Sequence, residues 1–465
     1  MIHSRQHGIL VVLLLSLGLK LGLLFFIGDI APYRDEERYL EVAESLVAGE
    51  GFHYSNKNWD DLHAPPLYPL FMGTVYYFGG GAFESKFIQV FLSTATVWFL
   101  FLLGRRWFGP RTGLWGAGIA AFYPTLIAFT HYNWNETFFL FWLCATFLAL
   151  FDRSGAMRSP RGLFGAGVLF GATSLTRAEV FYLVPLLWLW MYAHDRDWLA
   201  ALRRGGAFFC GVLLLVAPWT AYVVQTYGGF LLISSGSAGV WYHNYNVAPP
   251  NNTDLGMQGR REHKDLRLRK ATPRPRVLTT DPIERTRQET RNALAFVAEN
   301  PGLCFRRFWV RMAQLVNPTS FLIRHVRLDY YTSEGRHRKR RTRIPPTNED
   351  PPTIQDAIVW TTVGAYLLLS VLAVIGLSTM PAGRPRSLSL LVVFYFMVMY
   401  SLTYSCTRYR LSFVPLLAIA AGYVLAHRAE CRERLARPKV ALLVLALLST
   451  LGYAWSMYFD NLWNY

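Results

Sequence analysis

Long apolar runs recur along this chain at lengths close to what crosses a bilayer, and that leaves it few folds to choose from. They cover about residues 8–28, 84–103, 112–130, 136–151, 162–176, 179–193, 206–224, 356–378, 388–404, 411–426 and 439–457. A hydrocarbon core takes roughly 20 helical residues to span. Several runs are short or abut a neighbour, so the expected count is about 10–12 spans. Only helices and closed barrels satisfy their own backbone in lipid, and no alternating segments of barrel-strand length occur. The spacing therefore predicts an all-α, polytopic membrane bundle. With 52% of its 465 residues hydrophobic, the chain is too apolar for a soluble enzyme of this length.

Lysine and arginine set the expected orientation. One set of loops holds Arg105, Arg106 and Arg111; Arg153, Arg158 and Arg161; Arg196, Arg203 and Arg204; Arg384 and Arg386; and Arg428 to Lys439. The opposite set is poorer, with Arg34, Arg38 and Lys57, then Arg177, then Arg408 and Arg410. The N-terminus is expected in the cytoplasm and the loop after the first span outside it. No small-x-small cleavage site precedes Tyr33, so the first run reads as a retained span rather than a signal peptide.

Three segments follow: a membrane module at 1–224, a hydrophilic stretch at 225–355 and a second membrane module at 356–465. The first outer loop, 29–65, begins with an amphipathic segment. Tyr39, Leu40, Ala43, Leu46 and Val47 share one helical face, with Glu37, Glu41 and Glu44 opposite, and Gly49 and Gly51 end it. After the double proline, 67–78 is expected as a second short interfacial helix or a re-entrant entry. In the hydrophilic stretch, Asp281-Pro282 opens a helix to about 299, and another runs about 302–316. Much of the net charge of +17 lies in that stretch, including the run Arg336–Arg343. Outside a membrane such a run suits anionic lipid or glycolipid headgroups rather than nucleic acid, and a basic loop without a ligand explains it equally well. The five cysteines show no metal spacing, and no internal repeat is visible.

The residues that point to chemistry begin at Asp35 and Glu36, a carboxylate pair directly after the first span. An ionisable pair at the mouth of an apolar bundle suggests function. Asp35 suits a general base in a half-buried cleft, and it suits an N-cap as well. Neighbouring helix positions do not face each other, so one of the two is expected to point to the cavity while the other pairs with Arg38 or Arg34. Arg408 and Arg410 at a span mouth, or Arg177 in the turn Thr176-Arg177-Ala178-Glu179, are candidates for bidentate phosphate contacts. Snorkelling to the interface, or a simple Arg177–Glu179 pair, accounts for them too. Glu136 opens a helix, where its dipole favours a carboxylate. Trp241, Tyr242, His243, Asn244 and Asn246 mix aromatic faces with amide donors, a composition that fits sugars and ordinary loop packing alike.

Asp35-Glu36-x-Arg38-Tyr39 after the first span, Pro65-Pro66-Leu67-Tyr68-Pro69 and Arg408-Tyr409-Arg410-Leu411 before a late span together resemble the GT-C superfamily of polyprenyl-phosphate-sugar glycosyltransferases. Within it the chain is similar to ArnT-type aminoarabinose transferases, rhizobial-type lipid A core galacturonosyltransferases and protein O-mannosyltransferase-like proteins, over most of its length. The resemblance implies a membrane glycosyltransferase that takes a sugar from a polyprenyl-phosphate carrier. Its acceptor would be a glycolipid, polysaccharide or protein at the outer face of a bacterial inner membrane, and the anomeric carbon would be inverted. Asp35, with Glu36, would be catalytic. Arg38, Tyr39, His63, Tyr68, Glu136, Arg177, Asn244, Arg408 and Arg410 would bind substrate. Aminoarabinose transferases carry a Glu-Lys pair before the proline of the second motif; here His63 and Ala64 stand there. An arginine would then replace the lysine, and His63 either serves structure beside the prolines or, with Asp60, Asp61 or Glu36, holds a divalent metal ion. The competing expectations are a transporter or flippase of lipid-linked sugars, and a non-catalytic scaffold presenting the basic stretch. A transporter would show two related halves and ionisable residues at mid-membrane. This chain shows no repeat and places its charges at the outer mouths, which favours transfer over transport.

Overall fold

A computed structural model describes residues 2–28, 35–55, 60–236, 279, 281–318 and 354–459. Asn244 and its aromatic neighbours, the Arg336–Arg343 run, Arg34 and Lys57 lie outside the described residues. The helices are α1 (Ile2–Ile27), α2 (Asp35–Ala48), α3 (Leu67–Tyr77), α4 (Ala82–Phe108), α5 (Pro110–Phe122), α6 (Pro124–Phe129), α7 (Asn135–Leu150), α8 (Pro160–Thr176), α9 (Val184–Asp195), α10 (Trp198–Tyr227), α11 (Pro282–Glu299), α12 (Pro301–Leu315), α13 (Ile354–Thr379), α14 (Arg384–Leu402), α15 (Val414–Ala426), α16 (Arg428–Leu435) and α17 (Pro438–Phe459). The protein is an all-helical integral membrane protein, as its apolar runs predict.

Among the described residues, six helices are long and apolar enough to cross a membrane: His7–Ile27, Ala82–Phe108, Trp198–Tyr227, Ala357–Thr379, Arg384–Leu402 and Pro438–Ser456. Asn135–Leu150 and Val414–Ala426 are apolar but shorter. Other runs expected as single spans are broken by proline. Pro124 forces Tyr123 into an extended conformation, ψ 116°, so the run at 112–130 becomes α5 and α6. The run at 179–193 opens with a 3₁₀ turn, Ala178–Leu183, before α9, and that at 411–426 follows the 3₁₀ turn Tyr409–Ser412. These turns matter for function, because they bring Arg177 and Arg408 out of regular helix at one end of the bundle.

The amphipathic α2 ends where expected, with Gly49 at φ 81° and Gly51 at φ 79°. It buries Tyr39, Leu40 and Ala43 against α3, whose Tyr68 and Met72 complete a small apolar cluster. Val47, expected on the same face, is exposed. Asp281 caps α11 by accepting from the Ile283 amide at 2.9 Å. In the main bundle α5 lies between α4 and α15, α7 packs on α4 and α8, and α8 packs on α10.

Small residues let those helices meet backbone to backbone, the packing that membrane helices use in place of a hydrophobic drive. A Cβ on Gly167 would strike the Phe208 carbonyl, and one on Gly211 the Phe164 carbonyl. Gly167→Ala should therefore lower stability by about 1–3 kcal/mol, read as the unfolding midpoint of the detergent-solubilised protein. An unchanged midpoint would mean that α8 and α10 do not approach this closely.

Candidate functional site

A cavity of about 690 Å³ opens where several helix ends converge. Asp35, Arg38 and Tyr39 enter from the first turn of α2, and His63 from the loop before α3. Trp134, Asn135 and Glu136 come from the start of α7, Arg177 and Glu179 from the turn after α8, and Tyr400, Arg408 and Tyr409 from the end of α14 and the following turn. Phe230 to Ile233 form an apolar flank, and Thr286 and Thr290 of α11 complete the wall. All three segments distinguished in the sequence contribute.

A chain of alternating charges runs along the polar wall. Asp35 Oδ1 lies 3.6 Å from Arg38, and its Oδ2 takes Arg408 Nη2 at 2.8 Å. Arg408 Nε lies 3.7 Å from Glu136 Oε1, which also accepts from Arg177 Nη2 at 2.6 Å. Arg177 continues to Asn135 at 3.3 Å, Tyr400 at 3.2 Å and Ser412 at 3.4 Å. Tyr400 in turn donates to Glu179 at 3.2 Å. Aromatic faces hold the two guanidiniums in place: Arg408 lies over Trp134 at 4.9 Å, and Arg177 over Phe139 at 5.0 Å. Charge is balanced, with Asp35, Glu136 and Glu179 facing Arg38, Arg177 and Arg408.

Local sequence explains why these groups point inwards. Glu136 occupies the first turn of α7, where free amides and the helix dipole favour a carboxylate. Arg177 is extended at the α8 terminus, φ −144° and ψ 108°, so its side chain crosses to the α7 start. Enclosure in the cavity by itself raises the Asp35 pKa, but the Arg408 and Arg38 charges outweigh that and hold the carboxyl below the usual carboxylate range. Burial likewise lowers the pKa of Arg408, and the Asp35 carboxylate more than compensates.

Seven of the residues singled out from the sequence line this cavity: Asp35, Arg38, Tyr39, His63, Glu136, Arg177 and Arg408. Glu36, Tyr68 and Arg410 do not. Glu36 turns away from Asp35 around the helix and is buried, its Oε1 accepting from the Asn133 amide at 2.7 Å. It ties α2 to the turn before α7. Tyr68 stands behind the wall, edge-on to Tyr39 at 4.8 Å. Arg410 is fully buried behind the 3₁₀ turn, its guanidinium 3.7 Å from the Tyr366 ring centre and bonded to the Asn317 carbonyl. Two arginines separated by one residue cannot share a wall when the turn between them is tight.

Sequence reasoning missed Trp134, Tyr400, Tyr409 and Ser412. Tyr409 was within reach, because it lies inside the Arg408-Tyr409-Arg410 motif. As for a metal, no group of three or more His, Cys, Asp or Glu side chains among the described residues is placed to hold one. Asp60, offered as a co-ligand of His63, is buried and bonded to Ser235 and Leu62. Among the described residues, these side chains do not fit the expected metal site.

Comparison with known proteins bears on the fold. Residues 63–222 match the family described as dolichyl-phosphate-mannose-protein mannosyltransferase. The chain is similar to curated proteins named undecaprenyl phosphate-alpha-4-amino-4-deoxy-L-arabinose arabinosyl transferase from Pseudomonas aeruginosa strains LESB58 and UCBPP-PA14. Each is 25% identical over 197 residues, which is 41% of this chain and 36% of the relative. The matched stretch thus covers little more than a third of those relatives. Among solved structures, ArnT from Cupriavidus metallidurans bound to undecaprenyl phosphate superposes with a TM-score of 0.50 at 14% identity, over 94% of this chain and 62% of that one. The Archaeoglobus fulgidus oligosaccharyltransferase in its apo form gives 0.51 at 15% identity, over 99% and 56%. At such identities the likeness is one of fold.

Proposed function

From a membrane protein with the GT-C fold, we propose a glycosyltransferase that moves a sugar from a polyprenyl-phosphate carrier to a glycolipid, polysaccharide or protein acceptor. The relatives' names support this reading, and one observation carries it: Asp35 and Arg408 face one cavity at 2.8 Å, with Arg177 and Glu136 beside them. The pairing of a carboxylate with two fixed guanidiniums suits transfer from a phosphate leaving group. Nothing in this arrangement requires a substrate to cross the bundle, as transport would.

In the reaction, an acceptor hydroxyl attacks the anomeric carbon as its proton passes to Asp35. The bond from that carbon to the phosphate oxygen breaks, and its electron pair leaves with the polyprenyl phosphate. The carrier goes from a diester with one negative charge to a monoester with up to two. Protonation of Asp35 removes its hold on Arg408 at the moment the departing phosphate gains charge. Arg408 and Arg177 then neutralise that charge without a strong acid. Attack opposite the leaving group inverts the anomeric centre. Following the loop charges, the cavity opens on the extracytoplasmic face of a bacterial inner membrane, with the N-terminus in the cytoplasm.

The test is incubation of the purified protein with a mixed pool of undecaprenyl-phosphate-linked sugars and a membrane extract as acceptor. Consumption of one donor, with release of undecaprenyl phosphate, supports transfer. A donor pool left intact, or moved across a proteoliposome membrane unchanged, would sink it.

Arg408 supplies a pH prediction. Folding lowers the Asp35 pKa, so its ionised form contributes stability above the unfolded value of about 3.9. That contribution is lost as pH falls through the lower native value. In kcat/KM the acid limb should accordingly lie below about pH 3.9 in the wild type. Arg408→Gln should move it upwards and raise the donor KM about tenfold or more, the loss expected for a charged hydrogen bond. An unmoved acid limb would separate Arg408 from Asp35 in function.

A further inference from the structure

The proposed transfer assigns no role to α11, although that helix lines one side of the cavity and is held there by a buried cluster of charged side chains. Its anchoring residues are Arg285 and Glu289. Arg285 Nε donates to Glu289 Oε1 at 3.1 Å and lies 3.8 Å from Asp60 Oδ2, all three side chains being buried. Asp60 Oδ1 in turn accepts from Ser235 Oγ at 2.5 Å and the Leu62 amide at 3.1 Å. The Ser235 amide donates to the Leu62 carbonyl at 2.9 Å. A Cβ on Gly236 would strike the His63 carbonyl, and one on Gly229 would come within 2.6 Å of Ile283. The helix is thus locked to the segment 229–236 and to the loop that carries His63.

Thr286 and Thr290 each follow an anchor by one residue, and they share one helical face at i and i+4. With Arg285 and Glu289 turned into the clasp, the neighbouring face presents both threonines to the cavity. Thr286 spends its proton on the Pro282 carbonyl at 2.7 Å, which leaves its oxygen lone pairs free to accept. His63, whose carbonyl lies against Gly236, lines the same cavity as Asp35. Neutral hydroxyls on the wall of a cavity that Trp134 and Tyr404 also line suit a polyhydroxylated group.

We propose that Thr286 and Thr290 select the acceptor by hydrogen bonding to the hydroxyls of a glycan headgroup, with Asp60, Arg285 and Glu289 as positioning residues that hold α11 in place. The inference rests on the transferase reading and adds the acceptor's chemical class to it.

Full-length wild type and the Thr286→Val/Thr290→Val variant are compared with p-nitrophenyl β-D-glucoside and its monodeoxy analogues as acceptor probes. Equilibrium binding is measured alongside transfer from whichever donor the wild type consumes. Wild type should bind at least one monodeoxy probe about tenfold more weakly than the parent, and the double variant should reduce that ratio to about twofold or less. Its kcat with the parent should stay within about threefold of wild type, because the losses fall on KM. Arg285→Met should raise the acceptor KM while leaving the donor KM unchanged. Discrimination that survives the double variant, equal binding of every probe by the wild type, or preference for an N-acetyl serine amide over the glucoside would each overturn the proposal. If the wild type consumes no donor, the transferase reading fails, yet the binding ratios still decide whether these threonines recognise hydroxyls.

Discussion

If the proposed transfer holds, replacing Asp35 by Asn should lower it by about 10²–10⁴-fold, the range that a positioned general base supplies. The substitution keeps shape and size but removes the carboxylate that meets Arg408 at 2.8 Å. Asp35 is also the more accessible of that arginine's two carboxylate neighbours, 29% exposed against 3% for Glu136. Such partial exposure keeps the structural cost of losing the ion pair to about 1 kcal/mol or less. Activity should therefore disappear from a protein that still inserts, purifies as a single species and unfolds near the wild-type midpoint. Donor binding should persist or tighten, since Arg408 is released to meet the phosphate. Substantial residual turnover in Asp35→Asn would remove this carboxylate from the chemistry.

Arg177→Met produces the largest loss of stability. Its guanidinium is buried, and it bonds to Glu136, Asn135, Tyr400 and Ser412 together. Removing the charge leaves Glu136 buried with only the more distant Arg408, at 3.7 Å, to offset it. Breaking a buried pair in this way costs about 3–5 kcal/mol. The companion variant separates charge from packing. Arg177→Met with Glu136→Gln should recover at least half of the lost stability, because the stranded carboxylate is gone. Thermal unfolding in detergent measures both, and a double variant no more stable than Arg177→Met would show that packing against Phe139 and Tyr409, not charge, is what Arg177 supplies. Transfer should be lost in both variants, since neither retains the second phosphate contact.

Much of the architecture was legible before any coordinates. The apolar runs announced a helical bundle, proline and Asp281 marked the start of α11, and Gly49 with Gly51 marked the end of α2. The misread runs failed for one reason. Hydropathy measures how greasy a stretch is, and it is blind to Pro124, Pro185 and Pro415, which divide greasy stretches into turns and short helices. The breaks that blurred the span count are the same ones that bring Arg177 and Arg408 to the cavity.

The site was legible in part. Asp35, Glu136, Arg177 and Arg408 stand out because they sit at the charge-poor mouths of an apolar bundle, where an ionisable group suggests function. Their partners were harder to find. Periodicity relates residues within one helix, so it separated Asp35 from Glu36 by direction but left open what each would meet. It gave no reason to prefer Arg408 over Arg410, or to notice Thr286 and Thr290 among the polar residues of α11. By itself the sequence determined that this chain folds as membrane helices and carries a few ionisable groups at their ends. Tertiary packing alone decided that Arg408 faces Asp35 while Arg410 lies sealed behind its turn, and that α11 lines the cavity. The physical reason is that hydropathy and helical period are local, whereas an ion pair between α2 and the turn after α14 exists only once the helices between them have packed.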